Sequence, residues 1–184
     1  MNHFLHKKIG TVIDNALKGY SQIKVIKDPA CSTDEHGPDR QHIPLFVSKD
    51  NKLSTRYCCV DLLILQDDKI RIIVEIEESD IKPTQICGKF LTSALSKNYI
   101  HDKEDGRKEM GELVAFIQVI DISKLKDRSV KKEQFLELEK SINQILPLKG
   151  RPVDEYKLFV GTANSEFEEM LEFIKNDWLK IISK

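Results

Sequence analysis

Three carboxylates, Asp61, Glu75 and Glu77, stand in two strongly apolar stretches of the chain. These read Cys59-Val60-Asp61-Leu62-Leu63-Ile64-Leu65 and Ile70-Arg71-Ile72-Ile73-Val74-Glu75-Ile76-Glu77. Runs apolar at nearly every position are expected of central strands covered on both faces. An unpaired carboxylate buried there is costly enough to take up a proton, and three together also repel one another. A divalent cation removes both penalties. Oxygen ligands without imidazole or thiolate favour a hard ion, Mg2+ or Mn2+, over zinc. The chemistry such an ion supplies is polarisation of a phosphoryl oxygen and a more acidic bound water.

The elements must bring the three acids together. Glu75 and Glu77 are two apart on a strand and share a face. Asp61 joins them only if the hairpin register sets it opposite Glu75. A three-residue turn, Asp67-Asp68-Lys69, does this, as does a bulge of equivalent effect; a two-residue turn alone sets Asp61 opposite Val74. Opposed residues have Cβ atoms about 5 Å apart, close enough for two carboxylates to chelate one ion. A helix is expected from about Pro83 to about Tyr99, with Ile86, Phe90, Leu91, Ala94 and Leu95 on its apolar side. Its opposite stripe is Gln85, Lys89, Thr92, Ser93 and Ser96, and Lys89 is the only charge there before Lys97. Lys89, with Gln85 one turn away, is placed to hold a phosphate or the attacking water.

Around this centre the pattern predicts a helix over 3–18, strands at 23–26 and 43–47, and a long polar loop at 28–41. Two apolar strands follow at about 55–66 and 69–78, then the Pro83 helix and a charged loop over 101–109. The remainder reads as a strand at 113–121, a helix at 130–146, a strand at 156–160 and a helix at 165–182. A meander followed by helix–strand alternation implies one α/β domain, a central mixed sheet flanked by helices. No glycine-rich loop follows a strand, against a P-loop or dinucleotide fold.

Helix, strand, Val60-Asp61, thirteen residues, Glu75-Ile76-Glu77, helix and strand together resemble the PD-(D/E)XK nuclease superfamily, whose members are restriction endonuclease-like. The resemblance covers about residues 1–121, an αβββαβ core, and leaves about 130–184 as a C-terminal extension. It implies Asp61 and Glu75 as metal ligands, with the Ile76 carbonyl as a third, and Mg2+ or Mn2+ as cofactor. Glu77 stands where the motif has lysine. This resembles the E-x-E members, in which the second acid is a base or ligand, and those whose lysine has moved to the next helix, where Lys89 lies. Asp14 is the nearest acid on the first helix. The implied activity is a Mg2+-dependent deoxyribonuclease, with DNA as partner and a homodimer suited to double-strand cleavage. The alternative is an inactive nuclease-like subunit that binds nucleic acid or a partner protein, and a more distant one is a hydrolase of small phosphoesters.

Simpler assignments exist for each residue. Asp61 pairs with Arg56 or Arg71; Glu75 and Glu77 end an exposed strand entering Glu77-Glu78-Ser79-Asp80; Lys89 is merely solvated. The net charge of −1, from 29 basic and 30 acidic residues, provides no global field for DNA, so phosphate binding must be local. Lys103, Arg107 and Lys108 are diluted by Glu104, Asp105 and Glu109. No run approaches the roughly 18 apolar residues of a membrane span, and the N-terminus lacks the order of a secretion signal, so a cytoplasmic location is expected. Cys31, Cys58, Cys59 and Cys87 form no C-x-x-C pair and read as buried free thiols, in preference to a zinc site from Cys31, His36 and His42. His3, His6, His36, His42 and His101 are expected in loops or on the surface, His36 and His101 being weak substrate-loop candidates.

Overall fold

The structure, a computed structural model, describes residues 3–33, 42–100, 106–126 and 128–180. Its first helix, α1 (Phe4–Leu17), forms where Leu5, Ile9, Ile13 and Leu17 bury one stripe. Strands β1 (Ile23–Lys27), β2 (Ile43–Phe46), β3 (Arg56–Val60), β4 (Leu62–Gln66) and β5 (Lys69–Glu77) follow. Then come α2 (Pro83–Leu95), β6 (Asn98–Ile100), β7 (Arg107–Asp121), α3 (Arg128–Ile145) and β8 (Val153–Gly161). Helix α4 (Glu168–Glu172) continues as a π-helical turn to Trp178.

One mixed, open sheet contains all eight strands, in the order β1-β4-β5-β7-β6-β2-β3, with β8 on the C-terminal half of β7. Strands β5, β7 and β8 are parallel. Side chains alternate between two cores. Leu63, Ile73, Phe116 and Tyr156 pack with α2 and α3 on one face; Leu62, Val74, Ile117 and Val119 pack with α1 and α4 on the other.

Four expectations need correction. The strand expected over 55–66 is two strands broken at Asp61: β3 turns away to pair with β2, while β4 pairs with β1 and β5. Cover on both faces therefore begins only at Val60, and Arg56, Tyr57 and Cys59 are exposed. The α2 helix stops at Leu95, not Tyr99, because Asn98–Ile100 pair with Arg107–Glu109 at the start of β7. That pairing also makes strand of the last part of the expected 101–109 loop; residues 101–105 lie outside the described residues. The last helix is shorter than 165–182, since Phe167 takes a left-handed φ of 58° and α4 begins only after it.

The hairpin joining β4 to β5 decides where Asp61 goes. Gln66 pairs with Lys69 across a two-residue turn, Asp67-Asp68, with φ of 49° and 64°, as in a type I′ turn. Left alone, this turn would oppose Asp61 to Val74. A bulge at Arg71 intervenes: Leu65 pairs with Ile70, but Ile64 pairs with Ile72. Ile70 and Ile72 consequently enter opposite cores, and Leu62 comes to pair with Val74. The paired ladder ends at Leu62, and Asp61, just before it, donates its N–H to the Val74 carbonyl at 3.2 Å.

Candidate active site

Asp61 occupies the break between β3 and β4, where the ladder to β5 would otherwise lose a partner. Its Oδ2 accepts a hydrogen bond from the Ile76 backbone N–H at 2.7 Å, and its Oδ1 lies 3.6 Å from His6 Nε2. The N–H and C=O of a strand residue face the same neighbour, so the Ile76 carbonyl is turned toward this edge as well. Arg71, a suggested partner for Asp61, instead donates through Nε to the Leu113 carbonyl.

Glu75 and Glu77 are 3% and 7% exposed, so they are not a solvated strand end. Both face α2, whose Lys89 reaches them: Nζ is 3.2 Å from Glu75 Oε2 and 2.6 Å from Glu77 Oε1. Behind Glu77, Gln118 Nε2 donates to Oε1 at 3.3 Å, and the Tyr156 hydroxyl donates to Gln118 Oε1 at 3.0 Å. This buried chain across β5, β7 and β8 holds the Glu77 carboxylate in one orientation.

The electrostatics record an excess of negative charge. Burial, and then the charge of Asp61, push the Glu75 carboxyl well above the ordinary carboxylate range, and Lys89 offsets only part of this. Burial alone would lower the Lys89 ammonium, but Glu75 and Glu77 outweigh it and hold it above the usual lysine value. His6 behaves likewise: burial opposes its charged form, yet Asp61 and Glu78 raise its pKa.

The other expected residues lie elsewhere or serve the framework. Gln85 is exposed and caps α2, its Oε1 accepting from Lys82 N at 2.9 Å. Asp14 ion-pairs with Lys27. Arg107 pairs with Glu109, and Lys108 with Asp68. His36, His101 and Lys103 lie outside the described residues. Cys31 is buried, but Cys59 is exposed, a correction to the expectation of four buried thiols. His42 is exposed and sits 2.8 Å from Asp28.

Two histidines expected at the surface belong here instead. His6 is 7% exposed, and His3 packs edge-on to it at 5.1 Å between ring centroids. Their i, i+3 spacing at the start of α1 puts both on one side, and their partner Glu78 comes from far along the chain, just past the end of β5. Gln118, an amide in the middle of an apolar run, was likewise a detectable but unassigned signal. These residues border a cleft of about 610 Å3, lined by His3, His6, Glu77, Glu78, Asp121 and Asn164 among others. It opens at the C-terminal ends of the three parallel strands, where open α/β sheets commonly bind ligands.

No family model, curated protein or solved structure matches this chain. The site therefore has to be judged by its own chemistry. Lys89 lies between Glu75 and Glu77, and the Asp61 charge reaches Glu75 from the adjacent strand break. Their oxygen donors are of the hard type that Mg2+ prefers, but among the described residues only His3, His6 and Glu78 bring ligand atoms of three side chains within 4.8 Å of one another.

Proposed function

We propose that this chain is a Mg2+- or Mn2+-dependent nuclease of restriction endonuclease-like type, hydrolysing phosphodiester bonds in DNA. The observation carrying this is the buried Glu75, which feels the charge of Asp61 at the neighbouring strand break and has Lys89 of the next helix 3.2 Å away. When bound, the cation supplies Lewis acidity at a phosphoryl oxygen. Asp61 and Glu75 would hold it, with the Ile76 carbonyl as a third ligand. Glu77, oriented by Gln118 and Tyr156, accepts the proton of the attacking water. Lys89, 40% exposed and beside Glu75, would offer its ammonium to the scissile phosphate.

A second reading is a nuclease-like subunit that binds DNA or a partner without cutting. The contacts of Lys89 with both glutamates favour it, since a lysine placed there partly neutralises the pair without any metal.

The test is nicking of supercoiled plasmid with Mg2+ or Mn2+ by wild type, Asp61→Ala and Glu75→Ala. The nuclease reading expects metal-dependent nicking by wild type, reduced at least 100-fold (on the order of the loss for a catalytic group) in both variants. Equal nicking by all three proteins, or none by wild type, would leave the binding subunit. Faster turnover of nucleotide phosphoesters than of plasmid would move the assignment to a small-molecule hydrolase.

A further inference from the structure

On the α1 side of the same sheet end lies a second cluster, of different chemistry. Glu78 follows β5 and reaches back to the first turn of α1. Its Oε1 accepts a hydrogen bond from Leu5 N, which fixes the carboxylate and turns Oε2 to both imidazoles. Oε2 is 3.4 Å from His3 Nδ1 and 3.1 Å from His6 Nδ1, and one donor atom from each residue lies within 4.8 Å of the others. Yet the buried His6 Nδ1 makes no hydrogen bond, despite that short approach.

Two ligand atoms on one metal ion stand in this relation. An ion held at about 2.0–2.1 Å from each ligand sets neighbouring donors about 2.9–3.4 Å apart, with lone pairs aimed at the ion and not at each other. The opposite nitrogen, His6 Nε2, faces Asp61 Oδ1 at 3.6 Å, in the manner of the carboxylates that orient metal-bound imidazoles. Two imidazoles and one carboxylate, beside a cleft that leaves room for a further ligand, suit a first-row transition ion better than Mg2+.

We infer that His3, His6 and Glu78 form a transition-metal site of Zn2+ type, open to the cleft, coordinated through the two Nδ1 atoms and Glu78 Oε2. It is separate in ligands and in metal preference from the carboxylate centre on the α2 side, with Asp61 as the link between them. It does not depend on phosphodiester cleavage.

The full chain, freed of metal, is titrated with Zn2+ by calorimetry in the presence of excess Mg2+. One equivalent is expected to bind. Glu78→Gln and His3→Ala are expected to weaken it at least tenfold; His3 is partly exposed, so its removal leaves the core intact. Cys59→Ser, which removes the exposed thiol, is expected to bind as wild type does. Long-range proton–nitrogen NMR correlations then report which imidazole nitrogen shifts, with Nδ1 of His3 and His6 expected. Undiminished affinity in His3→Ala and Glu78→Gln, loss in Cys59→Ser, no binding by wild type, or metallation at Nε2 would each overturn the assignment. Because the readout is binding and not cleavage, this site and the nuclease reading can fail independently.

Discussion

Glu75 is the residue whose environment is most at odds with its charge. Burial and Asp61 both favour its neutral form, so metal-free protein loses stability as this group ionises. Glu75→Gln is therefore expected to stabilise metal-free protein by about 1 kcal/mol in urea unfolding while abolishing metal-dependent activity. Lys89→Met should do the reverse to stability. Removing one member of a buried ion pair costs about 3–5 kcal/mol, and the exposure of Lys89 reduces this to about 2 kcal/mol. The pH dependence has a definite sign. A group whose folded pKa is raised stabilises the protein below its unfolded pKa, and this contribution is lost as pH rises through the folded value. Glu75 is raised above 4.5 and His6 above 6.5, so metal-free stability should fall with rising pH in two stages beginning near those values. In His6→Gln the later stage should disappear; a thermal melt series in EDTA that still shows it would contradict the role given to Asp61 and Glu78.

At the scale of elements, the Arg71 bulge sets the geometry of the site. It absorbs one residue, so that a tight two-residue turn coexists with the Leu62–Val74 pairing. Deleting Arg71 should keep that register, because Ile70 and Ile72 already belong to opposite cores and would simply alternate. The deletion variant is expected to retain nicking within about tenfold and to lose about 1–2 kcal/mol, mainly from the Arg71 contacts with Leu113 and Trp178. Loss of nicking with the fold intact would show that the bulge does more than count residues. The strand and helix types were legible beforehand from apolar spacing. Their ends were not: β6 forms where it lies between β2 and the start of β7, and α2 stops there for the same reason.

Across the whole molecule, one sheet end gathers everything of chemical interest. The carboxylate centre faces α2 and α3, the His3/His6/Glu78 cluster faces α1, and the cleft lies over the ends of β5, β7 and β8. The region after residue 121 is integral to this arrangement. β8 pairs along the C-terminal half of β7, Tyr156 supports Gln118, and Phe173 and Ile174 cover the face shared with α1. A chain ending at residue 126 is therefore expected to show no cooperative thermal transition, because Ile117, Val119 and the end of β7 would lose their cover. A cooperative near-ultraviolet melt from that fragment would mark 1–121 as an autonomous core.

The amino-acid order alone determined that Asp61, Glu75 and Glu77 sit in segments too apolar to leave them unpaired, and that one lysine stands on the polar stripe of the next helix. Those are local facts, carried by alternation and helical spacing. Only the tertiary structure decided that a bulge behind a two-residue turn sets Leu62 opposite Val74, that Lys89 bridges both glutamates, and that His6 is buried against Asp61. Register, bulging and contacts between α1 and the end of β5 depend on hydrogen bonds and packing between residues remote along the chain, and periodicity within a segment carries no information about them.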